Sequence, residues 1–188
     1  MRKSARLEFG KLLREMHPAD STEELHLKRM QGLLARATDP FSRQNFEPGH
    51  FTASAFVLAP QRDALLLILH RKLGLWLQPG GHIEATDRDL IAAARREVAE
   101  EVGLPELELL SGGIFDVDVH RIPGRKNEPE HEHFDIRFLF RASTRDFVAG
   151  HEIAGAKWVP VTEIGEAHSD PSVLRATKKI ERIYRGTA

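Results

Sequence analysis

No cysteine occurs among the 188 residues, which excludes disulfide staples, zinc–thiolate sites and cysteine nucleophiles. That absence fits a reducing compartment, and a cytoplasmic location is the expectation. Long apolar runs are missing too: the longest, Ala64 to Leu69, is far too short to cross a bilayer. After the basic Arg2, Lys3 and Arg6, the residues Glu8, Lys11 and Arg14 interrupt any secretory apolar core. Charge of one sign is lacking as well. Lys and Arg number 27 against 28 Asp and Glu, a net charge of −1 with no global field to attract nucleic acid or an anionic membrane. What is present is a globular balance, 41% hydrophobic and 29% charged, which argues against wholesale disorder.

Residues 1–45 read as a helical extension and 46–188 as the main domain. Ser4 to Met16 carries a partial apolar stripe (Leu7, Leu12, Leu13, Met16). Ser21-x-x-Glu24 has the form of a capping box, followed by Met30, Leu33, Leu34 and Ala37 at helical spacing. Asp39-Pro40 ends that helix, and Gln44 to His50 reads as a linker. The arm is a packing or homodimerisation element. From Phe51 the texture turns strand-like. Phe51 to Leu58 and Ala64 to His70 flank the turn Pro60 to Asp63, and Pro79-Gly80-Gly81 forms a bend. A helix from Leu90 to Val102 ends at Gly103-Leu104-Pro105. Further strands are expected at Gly113 to Ile122, Phe134 to Arg141 and Lys157 to Val161, with a polar loop from Pro123 to Glu132 and a last helix from Pro171 to Tyr184. A mixed sheet with helices on its faces is the economical assembly.

The stretch Arg95 to Leu104 carries the chemistry. On a helix, Glu97, Glu100 and Glu101 stand three and four apart and share one face, while Leu90, Ala94, Val98 and Val102 form the face that lies on the sheet. Like charges so placed repel, and oxygen ligands with no cysteine suit a hard dication, Mg²⁺ or Mn²⁺. A solvated acidic face paired with Arg95 and Arg96 is the plainer alternative for three glutamates alone.

Their context resembles the Nudix box. Arg96-Glu97-Val98-Ala99-Glu100-Glu101-Val102-Gly103-Leu104 fits the second half of that signature, and Gly81 followed by Asp87 fits the first. Aspartate replaces the usual glutamate, and the spacer from Asp87 to Arg96 is one residue longer than the family's. Lys157-Trp158-Val159-Pro160-Val161 looks like the family's late strand. The resemblance spans roughly Phe51 to Ile164. It implies a Nudix-type α/β/α sandwich that hydrolyses a nucleoside diphosphate linked to another group, using a divalent metal. The partner is then a small nucleoside diphosphate derivative.

By the same resemblance, Glu97, Glu100 and Glu101 are metal ligands, the Gly81 carbonyl is a further one, and Arg96 and Asp87 are structural. Glu152, six residues before Trp158, is the first downstream candidate for general base, and Glu97 is the alternative within the box. The run Glu128 to Asp135 is a third: His131, His133 and Asp135 point the same way on an extended chain and would meet phosphate or metal, or form a solvated edge. Arg71 and His82 are further candidates for substrate binding. Trp158 is assigned to the core. A regulator that binds a nucleotide without cleaving it is the alternative function, and the intact box glutamates speak for catalysis. Nucleoside triphosphates and nucleotide sugars remain open as substrates; the single tyrosine, Tyr184, lies in the last predicted helix.

Overall fold

The computed structural model describes residues 3–104, 106–125, 128–165 and 169–184. Pro105, part of the predicted helix stop, and residues 126–127 of the predicted polar loop lie outside that set. Along the chain run α1 (Lys3–Glu15), α2 (Ser21–Arg36), β1 (Gly49–Leu58), β2 (Ala64–Leu69), β3 (Trp76–Leu77) and β4 (Gly80–His82). They are followed by α3 (Leu90–Val102), β5 (Leu107–Leu109), β6 (Asp116–Ile122), β7 (His131–Ala142), β8 (Gly155–Pro160), a 3-10 turn (Val161–Glu163) and α4 (Pro171–Tyr184). The class is α/β with N-terminal helices, as expected. Among the described residues no helix is long and apolar enough to cross a membrane. The chain divides into two compact units. One comprises Met1–Ser54, Gly80–Ala94 and Ser111–Phe138, the other Ala55–Pro79, Arg95–Leu110 and Leu139–Ala188.

In the first unit, α2 is capped one residue earlier than the sequence suggests. Asp20, not Ser21, is the N-cap and accepts from the Glu23 N–H at 2.8 Å, while the Glu23 carboxylate accepts from the Ala19 N–H. Asp and Ser both serve as caps, and a carboxylate placed here also favours the positive end of the helix. At the far end the Arg6 guanidinium of α1 donates to the carbonyls of Leu34, Ala37 and Thr38 at 2.6, 2.9 and 2.9 Å, satisfying acceptors that the helix leaves open. The apolar face of the arm is buried on its own chain: Phe9 packs edge-on to Phe51 at 4.9 Å, and Phe51 in turn meets Phe134 at 6.0 Å.

The predicted linker is shorter than expected, because Gly49 and His50 already belong to β1. The predicted glycine bend is likewise a strand: β4 pairs antiparallel with β1 through Thr52↔His82, Ala53↔Gly81 and Ser54↔Gly80. Gly80 permits this approach, since a Cβ there would lie 2.3 Å from the Ser54 Cβ. Nor is the end of the polar loop a loop. His131 and Glu132 open β7, which pairs with β6 from Asp116↔Arg137 to Ile122↔His131. The strand expected from Phe134 to Arg141 is therefore present but starts three residues earlier, at His131.

In the second unit β2 pairs antiparallel with β1 at Leu58↔Leu65, with β3, and with β8 along its whole length. The predicted hairpin and its turn at Pro60 to Asp63 are therefore present. The α3 residues Val98 and Val102 are fully buried, as the spacing predicts. Asp170 opens α4 by accepting from the N–H groups of Ser172 and Val173 at 2.8 and 2.9 Å. Val173, Ala176, Thr177 and Ile180 are buried along α4, but Ile183 is exposed. Trp158 is half-buried rather than a core residue: its indole N–H donates to the Arg145 carbonyl at 2.8 Å, and the Arg145 guanidinium lies over the ring.

Candidate active site

In the second unit two carboxylates of α3 share one arginine, the pairing with Arg96 that the spacing also allowed. One nitrogen of Arg96 (Nη1) lies 2.9 Å from Glu97 Oε1 and 2.9 Å from Glu100 Oε2. Two of the three glutamates thus converge on a single positive charge. Arg95 takes no part; it donates to the Leu107 carbonyl and lies 4.9 Å over the Phe140 ring. The face is graded in exposure, with the Glu97 side chain 14% exposed and that of Glu100 58%. A charge pair at Glu97 is therefore less screened than one at Glu100.

The segment before β8 is tied to the C-terminal end of this helix. Val148 donates its N–H to the Val102 carbonyl at 3.0 Å, and Gly150 donates to the Glu101 carbonyl at 2.7 Å. Only glycine fits at 150, since a Cβ would lie 2.4 Å from the Glu100 carbonyl oxygen. Two residues on, Glu152 is exposed. The Arg71 guanidinium donates to the His151 carbonyl at 3.0 Å. Arg71 and Glu101, both expected from sequence to be functional, are thus hydrogen-bonded to residues 150–151, and Glu152 follows them in the chain. Sequence reading passed over Gly150, whose signal was only a glycine between alanine and histidine.

In the first unit Gly81 sits in β4, and Asp87 is a loop staple: its carboxylate accepts from the Glu84 N–H at 2.8 Å. Asp89, at the start of α3, accepts from the Ala92 N–H at 2.7 Å as an N-cap does. His82, His131 and His133 do come together, and His50 joins them. Ring centroids lie 5.1 Å apart for His50 and His82, 4.9 Å for His50 and His133, 5.2 Å for His82 and His133, and 5.0 Å for His50 and His131. The solvated-edge alternative for this run is excluded, because His131 is buried and His133 half-buried. Burial, reinforced by the neighbouring imidazoles, pushes His82 down to about 4 and lowers His50 and His133 as well, so these rings are neutral at pH 7. His50 was missed because Pro48-Gly49 marked its segment as a linker.

Asp135 has a different role from the one suggested by its alignment with His131 and His133. Its carboxylate accepts from Thr52 Oγ1 at 3.0 Å, Ser54 Oγ at 2.7 Å and Arg137 Nε at 2.9 Å. Arg137, 2% exposed, also meets Asp116 at 3.2 Å and Asp118 at 3.3 Å. Burial works to lower the pKa of this guanidinium, yet the three aspartates hold it above the ordinary value. For Asp118 burial works to raise the carboxyl pKa, but the His120 hydrogen bond and the Arg137 charge outweigh it and hold the group ionised. Asp116, Asp118 and Arg137 were not singled out from the sequence; their signal was charge at alternate positions of two otherwise apolar strands.

The box on α3 and the α/β fold define a class: hydrolases of acid anhydrides with the Nudix architecture. A family model for the NUDIX domain matches residues 48–178, and the chain belongs to that family. Among solved structures it is similar to a NUDIX-family hydrolase from Clostridium perfringens (TM-score 0.54, 24% identity, covering 71% of this chain and 97% of that one). It is also similar to a C. elegans Ap4A hydrolase (0.58, 16%, 72% and 98%) and to the E. coli dihydroneopterin triphosphate pyrophosphohydrolase (0.53, 16%, 73% and 96%). No curated protein matches the chain by sequence.

Proposed function

We propose that this NUDIX hydrolase cleaves a phosphoanhydride in a nucleoside diphosphate-linked substrate, a nucleoside triphosphate or a nucleotide sugar, with a divalent cation held by Glu97, Glu100 and Glu101. The observation that carries the reading is the convergence of the Glu97 and Glu100 carboxylates on one cationic nitrogen, with Glu101 on the same helix face. An all-oxygen donor set of this kind fits Mg²⁺ or Mn²⁺. When bound, such an ion neutralises phosphate oxygens and lowers the pKa of an attacking water.

The chain's own residues supply the rest. Arg96 holds two carboxylates together while no other cation does, and so keeps like charges from splaying apart. The Val148 and Gly150 contacts fix the segment leading to Glu152 beside the end of α3, which suits a general base that must take a proton from water. Arg71 anchors the same segment through His151. Two of the similar proteins are an Ap4A hydrolase and a dihydroneopterin triphosphate pyrophosphohydrolase, and the compounds they are named for both contain the anhydride linkage proposed here.

The test is a panel of nucleoside triphosphates, nucleotide sugars and dinucleoside polyphosphates, incubated with the purified chain and Mg²⁺ or Mn²⁺ and resolved by product. Metal-dependent release of a mononucleotide from at least one compound is expected. Tight nucleotide binding with no product from any of them would overturn the reading in favour of a nucleotide-binding regulator.

A further inference from the structure

We propose that His50, His82 and His133 form a binding site for one divalent transition-metal ion of the zinc class, chemically distinct from the oxygen ligands of α3. One ring nitrogen from each of the three residues lies within 4.8 Å of the others. Tetrahedral zinc with nitrogens at 2.0–2.1 Å needs them about 3.4 Å apart. Rotation of imidazoles about their side-chain bonds covers that difference.

Two of these nitrogens are already ligand-like. His50 Nδ1 lies 3.1 Å from the Asn45 carbonyl oxygen. A carbonyl oxygen only accepts, so Nδ1 carries the proton and Nε2 carries the lone pair. That Nε2 is buried with no hydrogen-bond partner, in a residue only 1% exposed. His133 Nε2 is buried and unsatisfied in the same way. Orphaned buried polar atoms are uncommon in folded proteins and call for a partner, a water or an ion. A histidine whose Nδ1–H is held by a backbone carbonyl while Nε2 faces inward is the arrangement that metal-ligating imidazoles share.

The three residues also stand on regular structure rather than on loops. His50 lies in β1, His82 is paired across from Thr52 in β4, and His133 is paired across from His120 in β7. Such placement restricts their movement and favours a fixed geometry. Neutral imidazole is the ligating form and suits Zn²⁺, Co²⁺, Ni²⁺ or Cu²⁺ rather than Mg²⁺. Three protein ligands leave a fourth position for water or a substrate oxygen.

The test uses the full chain, stripped with a chelator and titrated with Co²⁺ followed by visible absorption, and with Zn²⁺ in competition. One equivalent of Co²⁺ is expected to give the intense bands of a four-coordinate, nitrogen-rich site, and Zn²⁺ is expected to bleach them. Replacing His133 by Ala should weaken Co²⁺ binding by at least about 100-fold, since even loss of an outer-shell partner costs 10- to 100-fold. The double variant Glu100→Gln, Glu101→Gln should keep the bands. His82 is only half-buried, so His82→Asn provides a folded alternative if His133→Ala fails to fold, and an equal loss of affinity is expected of it. Weak six-coordinate bands, bands that survive both histidine variants, or bands lost in the glutamate variant would each overturn the site. None of these outcomes depends on whether the chain hydrolyses a nucleotide with Mg²⁺, so the two proposals fail separately.

Discussion

Glu100 and Glu101 bear the functional proposal, and a change of one atom tests each. Glutamine keeps the shape and removes the charge. Glu100→Gln or Glu101→Gln should lower metal-dependent kcat by roughly 100-fold or more while leaving the far-ultraviolet dichroism unchanged, because losing even an outer-shell partner of a metal costs 10- to 100-fold. Arg137 poses the opposite problem: its positive charge is buried among three aspartates. Arg137→Met would leave Asp116, Asp118 and Asp135 buried without their shared cation. Breaking a buried pair in this way costs about 3–5 kcal/mol, to be read as a lowered urea midpoint. The glutamates were legible from sequence because helical spacing places i, i+3 and i+4 on one face whatever the tertiary structure. Arg137 and His50 were not. Their importance arises from strand neighbours far away in the chain, and nothing local distinguishes a buried arginine from an exposed one.

At the scale of elements, the contact between the segment around Gly150 and the end of α3 is the one to perturb. Gly150→Ala inserts a methyl group where a carbonyl oxygen lies 2.4 Å away. Overpacking of that kind costs about 1–3 kcal/mol, and the displaced segment carries Glu152 with it. A lower melting temperature together with reduced kcat/KM is expected, whereas Gly112→Ala, at a site with open space around the glycine, should leave both unchanged. Helix α3 was readable to the residue, since its apolar repeat and its glycine stop agree. Strands β3, β4 and β5 were not, because two or three residues carry too little pattern and their existence depends on the strand beside them. The misread start of β1 has the same origin: Pro48-Gly49 is turn chemistry, yet the Pro48 carbonyl accepts from the Glu132 N–H at 2.9 Å, a partner far along the chain.

For the whole molecule, the buried aspartates set the response to acid. Asp118 titrates below its ordinary value when folded, so its ionised form adds stability above about pH 4, the ordinary carboxylate range, and that contribution disappears as pH falls further. Arg137, His120 and His26 face it, while Asp116 and Asp135 share Arg137. Urea midpoints measured from pH 6 down to pH 2.5 should therefore fall more steeply for the natural chain than for Asp118→Asn, which starts lower at pH 6. The division into two units has an optical consequence. Trp76, Trp158 and Tyr184 all belong to the second unit, and the first contains neither tryptophan nor tyrosine. Intrinsic emission therefore originates in the second unit, and far-ultraviolet dichroism, which sees backbone in both, is the signal that takes in the histidine cluster and the buried arginine as well.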